Sequence, residues 1–552
     1  MRVLFLPLIF CIELYGIEIP TKLPKLTDLI NPFQQFKLRD ILGSITALET
    51  PDVASDSAGI SYPKHQYTDR LSSISDINRS KRDLLFQGDI HLSYQHLSNI
   101  VREQLDHPRR KRTAFRNEMY PSTIWKPYVP FELHTSLSAK SRSSLIAAMA
   151  FWEKNTCVNF RKRTDEEVYL LMSGDEEGCW STVGRDEAQK AQILNIGTGC
   201  EMFGITSHEL AHALGLFHEQ SRYDRNNYVQ IVKSRIAQKN FYDFAVVGMK
   251  NMDTYGQKYD IGSVMHYRPT EWVSLLFQVI YSVLRFSIDG GNTIIAKDIN
   301  MQNTMGQFRG PSFLDVAKIN RHYDCAANCK NRIKCVNGGY QHPRNCNVCV
   351  CPPGYGGKDC TGIEASNPAK CNGVLFAGET QRKFTINIKP KSAVNGVRKC
   401  NYHIQAPPGK RIVVIVDSVI GNCVQGCYEE GVELKMYDDK TVTGARFCCK
   451  IDKPQTLISQ GSTVPIMLVA GKAQAFVQLR YATVDHPQNR SPKEGNATHS
   501  GLNPLLLEKY LDDSIDSEAI RKEFLIQSDD VNQEDFETLV RREFVDENSI
   551  EN

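Results

Sequence analysis

Apolar and polar positions divide the chain into stretches of different periodicity. Met1-Arg2 is followed by the apolar run Val3–Ile12 and by small Gly16, so residues 1–16 read as a secretory signal peptide. Residues 17–112 are polar. Helical spacing appears between Ser138 and Glu153, where Leu145, Ile146, Met149 and Trp152 predict one amphipathic helix. Short strand-like runs follow at Val158–Phe160 and Val168–Met172. From Cys371 onward, short β-branched segments such as Arg411–Val416 and Pro465–Val469 predict an all-β region. The longest later apolar run, Trp272–Leu284, falls short of the ~18 residues a membrane span needs. No span is predicted, and the protein reads as secreted.

At 552 residues the chain exceeds one ordinary core and predicts several domains or processed segments. Hydrophobic residues at 41% and charged residues at 23% exclude wholesale disorder. A net charge of +3 points to no nucleic-acid partner. The charge is uneven: Leu505 to Asn552 holds 15 Asp or Glu against 5 Lys or Arg, a net of −10. Residues 484–552 therefore read as a polar, acidic and disordered tail.

Sixteen of the 17 cysteines lie beyond residue 150, an even set suited to an oxidising compartment once Cys11 leaves with the signal. Cys329 to Cys360 is too short for a core of its own and depends on cross-links. The cysteine-free leader ends in Arg109-Arg110-Lys111-Arg112, a site for an activating convertase that cuts after Arg112. Residues 17–112 then become a propeptide. Glycosylation sequons stand at Asn78 and Asn496.

Most of the chemistry lies in one segment, His208-Glu209-Leu210-Ala211-His212-Ala213-Leu214-Gly215-Leu216-Phe217-His218-Glu219. His208 and His212 are four apart, so a helix presents both imidazoles on one face to a single cation. Gly215 can adopt positive φ, end the helix and turn the chain so that His218 adds a third nitrogen. Three imidazoles with a free fourth position are the donor set of a catalytic zinc, Zn(2+), one per subunit. Glu209 is placed to reach water rather than metal, as a general base. Met265, in Ser263-Val264-Met265-His266-Tyr267, stands where a methionine turn would floor the site.

These motifs, with Gln220-Ser221-Arg222-Tyr223-Asp224-Arg225 continuing the first, resemble the astacin family of zinc metalloendopeptidases over residues 113–325. The resemblance implies an α+β, two-lobed metzincin catalytic domain with zinc in the cleft, and substrate added along a sheet edge. It assigns His208, His212 and His218 as ligands and Glu209 as catalytic base. Tyr267 would ligate zinc at rest and then swing to stabilise the oxyanion, while Glu219 would meet the mature amino terminus. It also implies the disulfides Cys157–Cys325 and Cys179–Cys200. Phe86-Gln87-Gly88-Asp89 resembles the family's propeptide motif, in which Asp89 would take the water's place on zinc and act as the zymogen switch.

Residues 326–361 resemble an EGF-like module, with Cys351–Cys360 as its clearest pair. Residues 371–483 resemble a CUB domain whose first bridge is Cys371–Cys400. Pairing among Cys329, Cys335, Cys346 and Cys349, and among Cys423, Cys427, Cys448 and Cys449, stays open, and no calcium ligands stand out. The domain order resembles nematode astacins. It implies extracellular protein or peptide substrates, with matrix or cuticle components as the analogy.

Two departures stand out. The opening Trp125-Lys126-Pro127-Tyr128-Val129-Pro130-Phe131 lacks the family's glycine, and Trp272–Arg285 interrupts the step from Glu271 to Phe286-Ser287-Ile288-Asp289-Gly290. An exposed apolar insertion beside a cleft is costly, so the 14 residues read as an unspliced intron, which transcript sequencing decides. The rival function is an inactive extracellular binding protein that works through its EGF and CUB modules. Its only support is the insertion, since every catalytic residue is present.

Overall fold

Ser138 sets the start of the longest helix of the central region by accepting a hydrogen bond from the Ser141 backbone N–H, and the helix runs Ala139–Asn155. Leu145, Met149 and Trp152 are buried, whereas Ile146 is 52% exposed. The expected apolar stripe is thus narrower than the spacing predicted, because Ile146 sits one residue off the buried face. The strands expected nearby form slightly later, at Phe160–Lys162 and Tyr169–Ser173. The computed structural model describes residues 42, 43, 46, 73–106, 114–115, 120–270, 287, 291–389, 397–471 and 473–485. The signal region, Arg112, residues 272–285, Asn496 and the acidic tail lie outside them.

A six-stranded sheet forms the upper part of the central region. Its strands are β1 (Ile90–His91), β2 (Val129–Leu133), β3 (Phe160–Lys162), β4 (Tyr169–Ser173), β5 (Cys179–Thr182) and β6 (Ala191–Ile196), in the order β1-β5-β6-β4-β2-β3. All pairs are parallel except β5 with β6. The edge strand β1 comes from the leader and adds to β5 with Ile90 opposite Ser181. A single chain thus closes its own exposed edge with residues that precede the basic site.

Five α-helices are described: α1 (Ile74–Ile77), α2 (Tyr94–Asp106), α3 (Ala139–Asn155), α4 (Phe203–Ala213) and α5 (Phe313–His322). Helix α4 is buried on all sides. It packs on α3 through Ser144 Oγ and Thr206 Oγ1, 2.7 Å apart, and through Trp152 Nε1, which donates to Ser207 O at 3.2 Å. Gly204 allows the close approach of Phe308, whose carbonyl oxygen would lie 1.8 Å from an added Cβ. A core of Leu145, Trp152, Leu170, Leu194, Leu210 and Ile319 joins these helices to the sheet. Each such side chain contributes roughly 1.5–3 kcal/mol on burial.

Beyond α5 a small region is held by Cys329–Cys346, Cys335–Cys349 and Cys351–Cys360. Its Arg344 reaches back to the carbonyls of Glu153, Thr156 (2.7 Å) and Val158 (2.6 Å), supplying donors at the C-terminal end of α3. Residues 372–485 form a five-stranded and a four-stranded sheet. Along Lys410–Ile420, Ile412, Val414 and Val416 alternate inward, and they share a core with Ile466, Leu468, Val477 and Leu479. Cys371–Cys400, Cys423–Cys449 and Cys427–Cys448 cross-link this region. It rests on the central region: Thr443 N donates to Asp260 Oδ1 at 3.0 Å, and Tyr437 Oη to Asp298 Oδ2 at 2.6 Å.

Candidate metal centre

His208 and His212 project from one face of α4 with their Nε2 atoms 3.0 Å apart. The helix ends at Ala213, and Gly215 follows with φ +106°; an added Cβ would lie 2.7 Å from His322 Nε2. That turn brings His218 to the same point. Asp89 Oδ2 lies 3.2 Å from both His208 Nε2 and His218 Nε2, and Asp89 Oδ1 lies 3.7 Å from His212 Nε2. One ligand atom from each of the four residues falls within 4.8 Å of the others, and all four residues are buried.

Each imidazole also makes a hydrogen bond through its far nitrogen. His208 Nδ1 meets Val264 O at 2.9 Å, His212 Nδ1 meets Leu216 O at 2.7 Å, and His218 Nδ1 meets Gln87 Oε1 at 3.0 Å. Oxygen acceptors at all three Nδ1 positions fix the tautomer that turns the Nε2 lone pairs toward the shared point. Burial lowers the pKa of His212 and of His218, which keeps those rings neutral.

This donor set fits zinc. Three imidazole nitrogens and one carboxylate are ligands it favours, and Asp89 Oδ1 and both Glu209 oxygens are buried without a hydrogen-bond partner. Burial, aided by the Asp89 charge, pushes the pKa of the Glu209 carboxyl well up.

The methionine turn is built from two directions. Met265 is buried, and its carbonyl accepts from Glu219 N at 2.8 Å. Asp315, the third residue of the α5 capping box, accepts from Ser263 Oγ at 2.6 Å and from Val264 N at 3.0 Å. Tyr267 stacks edge-on to His218, ring centres 4.8 Å apart, and its hydroxyl donates to the Gln87 carbonyl. With the leader in place the tyrosine is held by the leader.

The Glu219 carboxylate accepts from Arg222 Nη1 at 2.9 Å, from Asp260 N at 2.8 Å and from Lys318 Nζ. Burial opposes its ionisation, but Lys318 and Arg222 outweigh it and keep the carboxyl below its usual pKa. Asn78 corrects an expectation. It is fully buried, its Nδ2 donates to Gly88 O at 2.8 Å and to Cys179 O at 2.5 Å, and its Oδ1 accepts from Cys179 N at 2.6 Å. A glycan on that nitrogen has no room, and Asn78 instead ties the leader to β5. Cys157–Cys325 and Cys179–Cys200 are bonded around the site.

Sequence reasoning missed Gln87, Asp315 and Lys318 as parts of this centre. Gln87 falls inside the Phe86-Gln87-Gly88-Asp89 motif without a role of its own there, and the Ser312-x-x-Asp315 capping pattern is the signal that could have marked Asp315.

The fold and site define a metal-dependent peptidase, and comparison with known proteins supplies the family. Residues 117–324 match the family model for astacin peptidases. The chain is 80% identical to zinc metalloproteinase nas-23 of Caenorhabditis elegans over 551 residues, covering 100% of both chains. It is 40% identical to zinc metalloproteinase nas-29 of the same organism, covering 83% of this chain and 87% of the other. Among solved structures, the hatching enzyme high choriolytic enzyme 1 of the medaka Oryzias latipes is 30% identical over 37% of this chain and 95% of that one, with a TM-score of 0.31. The chain belongs to the astacin family. It is a zinc metalloproteinase with a mixed α/β catalytic region.

Proposed function

We propose that the protein is a secreted zinc endopeptidase of extracellular proteins, made as a zymogen that Asp89 blocks and activated by cleavage after Arg112. The observation that carries this reading is the Asp89 carboxylate within 3.2 Å of two of the three converging Nε2 atoms. His208, His212 and His218 would hold the metal, which when bound acidifies water and polarises a carbonyl. Once the leader departs, Glu209 takes the proton from the attacking water and returns it to the leaving amine. The Tyr267 hydroxyl, released from Gln87, donates to the oxyanion. A substrate strand would then use the β5 edge that β1 occupies.

Residues 326–361 and 371–483 act in this reading as EGF-like and CUB modules that position substrate, with matrix or cuticle proteins as the class. Their disulfide pairs and the two-sheet sandwich support it. The inactive binding protein is the weaker reading, because the buried, partnerless Glu209 carboxyl beside the metal cluster has no structural use. The test compares precursor and processed protein on a casein or gelatin substrate. Hydrolysis should appear only after processing and should vanish with Glu209→Ala or chelation. Processed protein that binds zinc yet cuts nothing would overturn it.

A further inference from the structure

The three imidazoles are not held alike. His208 and His212 give their Nδ1 hydrogens to the backbone carbonyls of Val264 and Leu216, both within the catalytic region. His218 gives its own to the side chain of Gln87, which lies in the leader. Gln87 is fully buried and has φ +52°, a left-handed conformation uncommon for a residue with a side chain. Its amide orientation is determined: Nε2 donates to Ala245 O at 2.8 Å, which leaves Oε1 to face His218. Its backbone carbonyl takes the Tyr267 hydroxyl. One residue thus holds the third ligand, the tyrosine beside it and the loop at Ala245.

We propose that Gln87 is a positioning residue of the latent state, which orients His218 for the metal through the Nδ1 hydrogen bond. The precursor then binds zinc more tightly than it would with Asp89 alone. Departure of the leader frees the blocked coordination position, the tyrosine and the third imidazole in one event. The two flanking contacts make this geometry firm: Asn78 fixes Gly88 from one side, and Asp89 follows directly on the other. The proposal rests on the zinc reading of the site above.

Outer hydrogen-bond partners of metal-bound histidines are worth about 10–100-fold in metal affinity when removed. The test uses the full-length precursor and measures zinc affinity by competition with a chromophoric chelator, together with the visible spectrum after cobalt substitution. Gln87→Leu should weaken zinc binding by about 10–100-fold and shift the cobalt bands. Gln87→Glu keeps an oxygen acceptor for His218 and should hold zinc close to wild type, which separates ligand orientation from loss of packing. All the precursors release the same mature protein, so equal specific activity after processing verifies that each folded.

If Gln87→Leu keeps wild-type affinity and an unchanged spectrum, the proposal fails while the zinc site stands. Equal weakening by Gln87→Leu and Gln87→Glu also overturns it, since packing alone would then explain the effect. A wild-type precursor that takes up no zinc overturns the parent reading instead.

Discussion

The central region and the C-terminal sandwich bury their groups in opposite ways. Around the metal centre the interior is polar: Glu209, Glu219, Lys318, Arg222 and Asp315 are all buried, and most are held by one another. In the sandwich the interior is a run of Val, Ile and Leu from facing strands, such as Val414, Leu468 and Val477. Apolar burial is non-directional and tolerates sequence change. Buried charge is tolerated only with matched partners, so it marks where geometry must be exact for chemistry. The difference separates a region selected for a site from one selected for a shape.

The largest expected effect is on rate. Glu209→Ala should lower kcat/KM of the processed enzyme by about 10²–10⁴-fold while leaving zinc content at one per chain, read by metal analysis alongside peptide hydrolysis. If both fall together, Glu209 shapes the site rather than moving a proton. Next comes Lys318→Met. It leaves the Glu219 carboxylate to Arg222 and should destabilise the central region by about 3–5 kcal/mol in denaturant titration. A loss below about 1 kcal/mol would mean that the pair is solvated after all.

Leu468→Ala probes the other style of burial and should cost about 2–5 kcal/mol, read as unfolding of the sandwich with catalytic activity kept. The sandwich is not free of charge: Glu430, Lys435 and Lys440 are buried within it, and Glu433 lies beside Lys435. Glu433 is opposed by burial but held by Arg446, at 3.0 Å, and by Lys435, and its pKa falls to about 2. Lys435 is itself depressed by burial, so Arg446 is the firmer partner. Because the folded value lies below the unfolded one, the stabilisation is full above about pH 4.5 and is lost as pH falls toward 2. Glu433→Gln should flatten thermal stability against pH across that window. The smallest effect belongs to Ile146→Ser, within about 0.5 kcal/mol, because that side chain is already exposed.

The sequence made the two regions legible to different depths. His208, His212, Gly215 and His218 lie within 11 positions, so helical spacing and one turn were enough to bring three nitrogens together. The β-branched alternation of Ile412, Val414 and Val416 likewise announced a buried strand face. What stayed hidden depends on distance along the chain. Gln87 is 131 positions from His218, and Lys318 is 99 from Glu219; no local period encodes either contact. Asn78 misled for a related reason: a sequon is read from three residues, whereas its burial is set by Cys179, 101 positions away. Ile146 shows the limit of periodicity itself, since one residue of phase separates the buried stripe from solvent.

The account turns on the leader and the catalytic region sharing one zinc. X-ray absorption at the zinc edge of the intact precursor tests this directly. It should give three nitrogen scatterers at about 2.0–2.1 Å with one carboxylate oxygen from Asp89, and the carboxylate contribution should be lost after processing or in Asp89→Ala. Carboxylate scattering left unchanged by either treatment, or a first shell containing sulfur, would contradict the account.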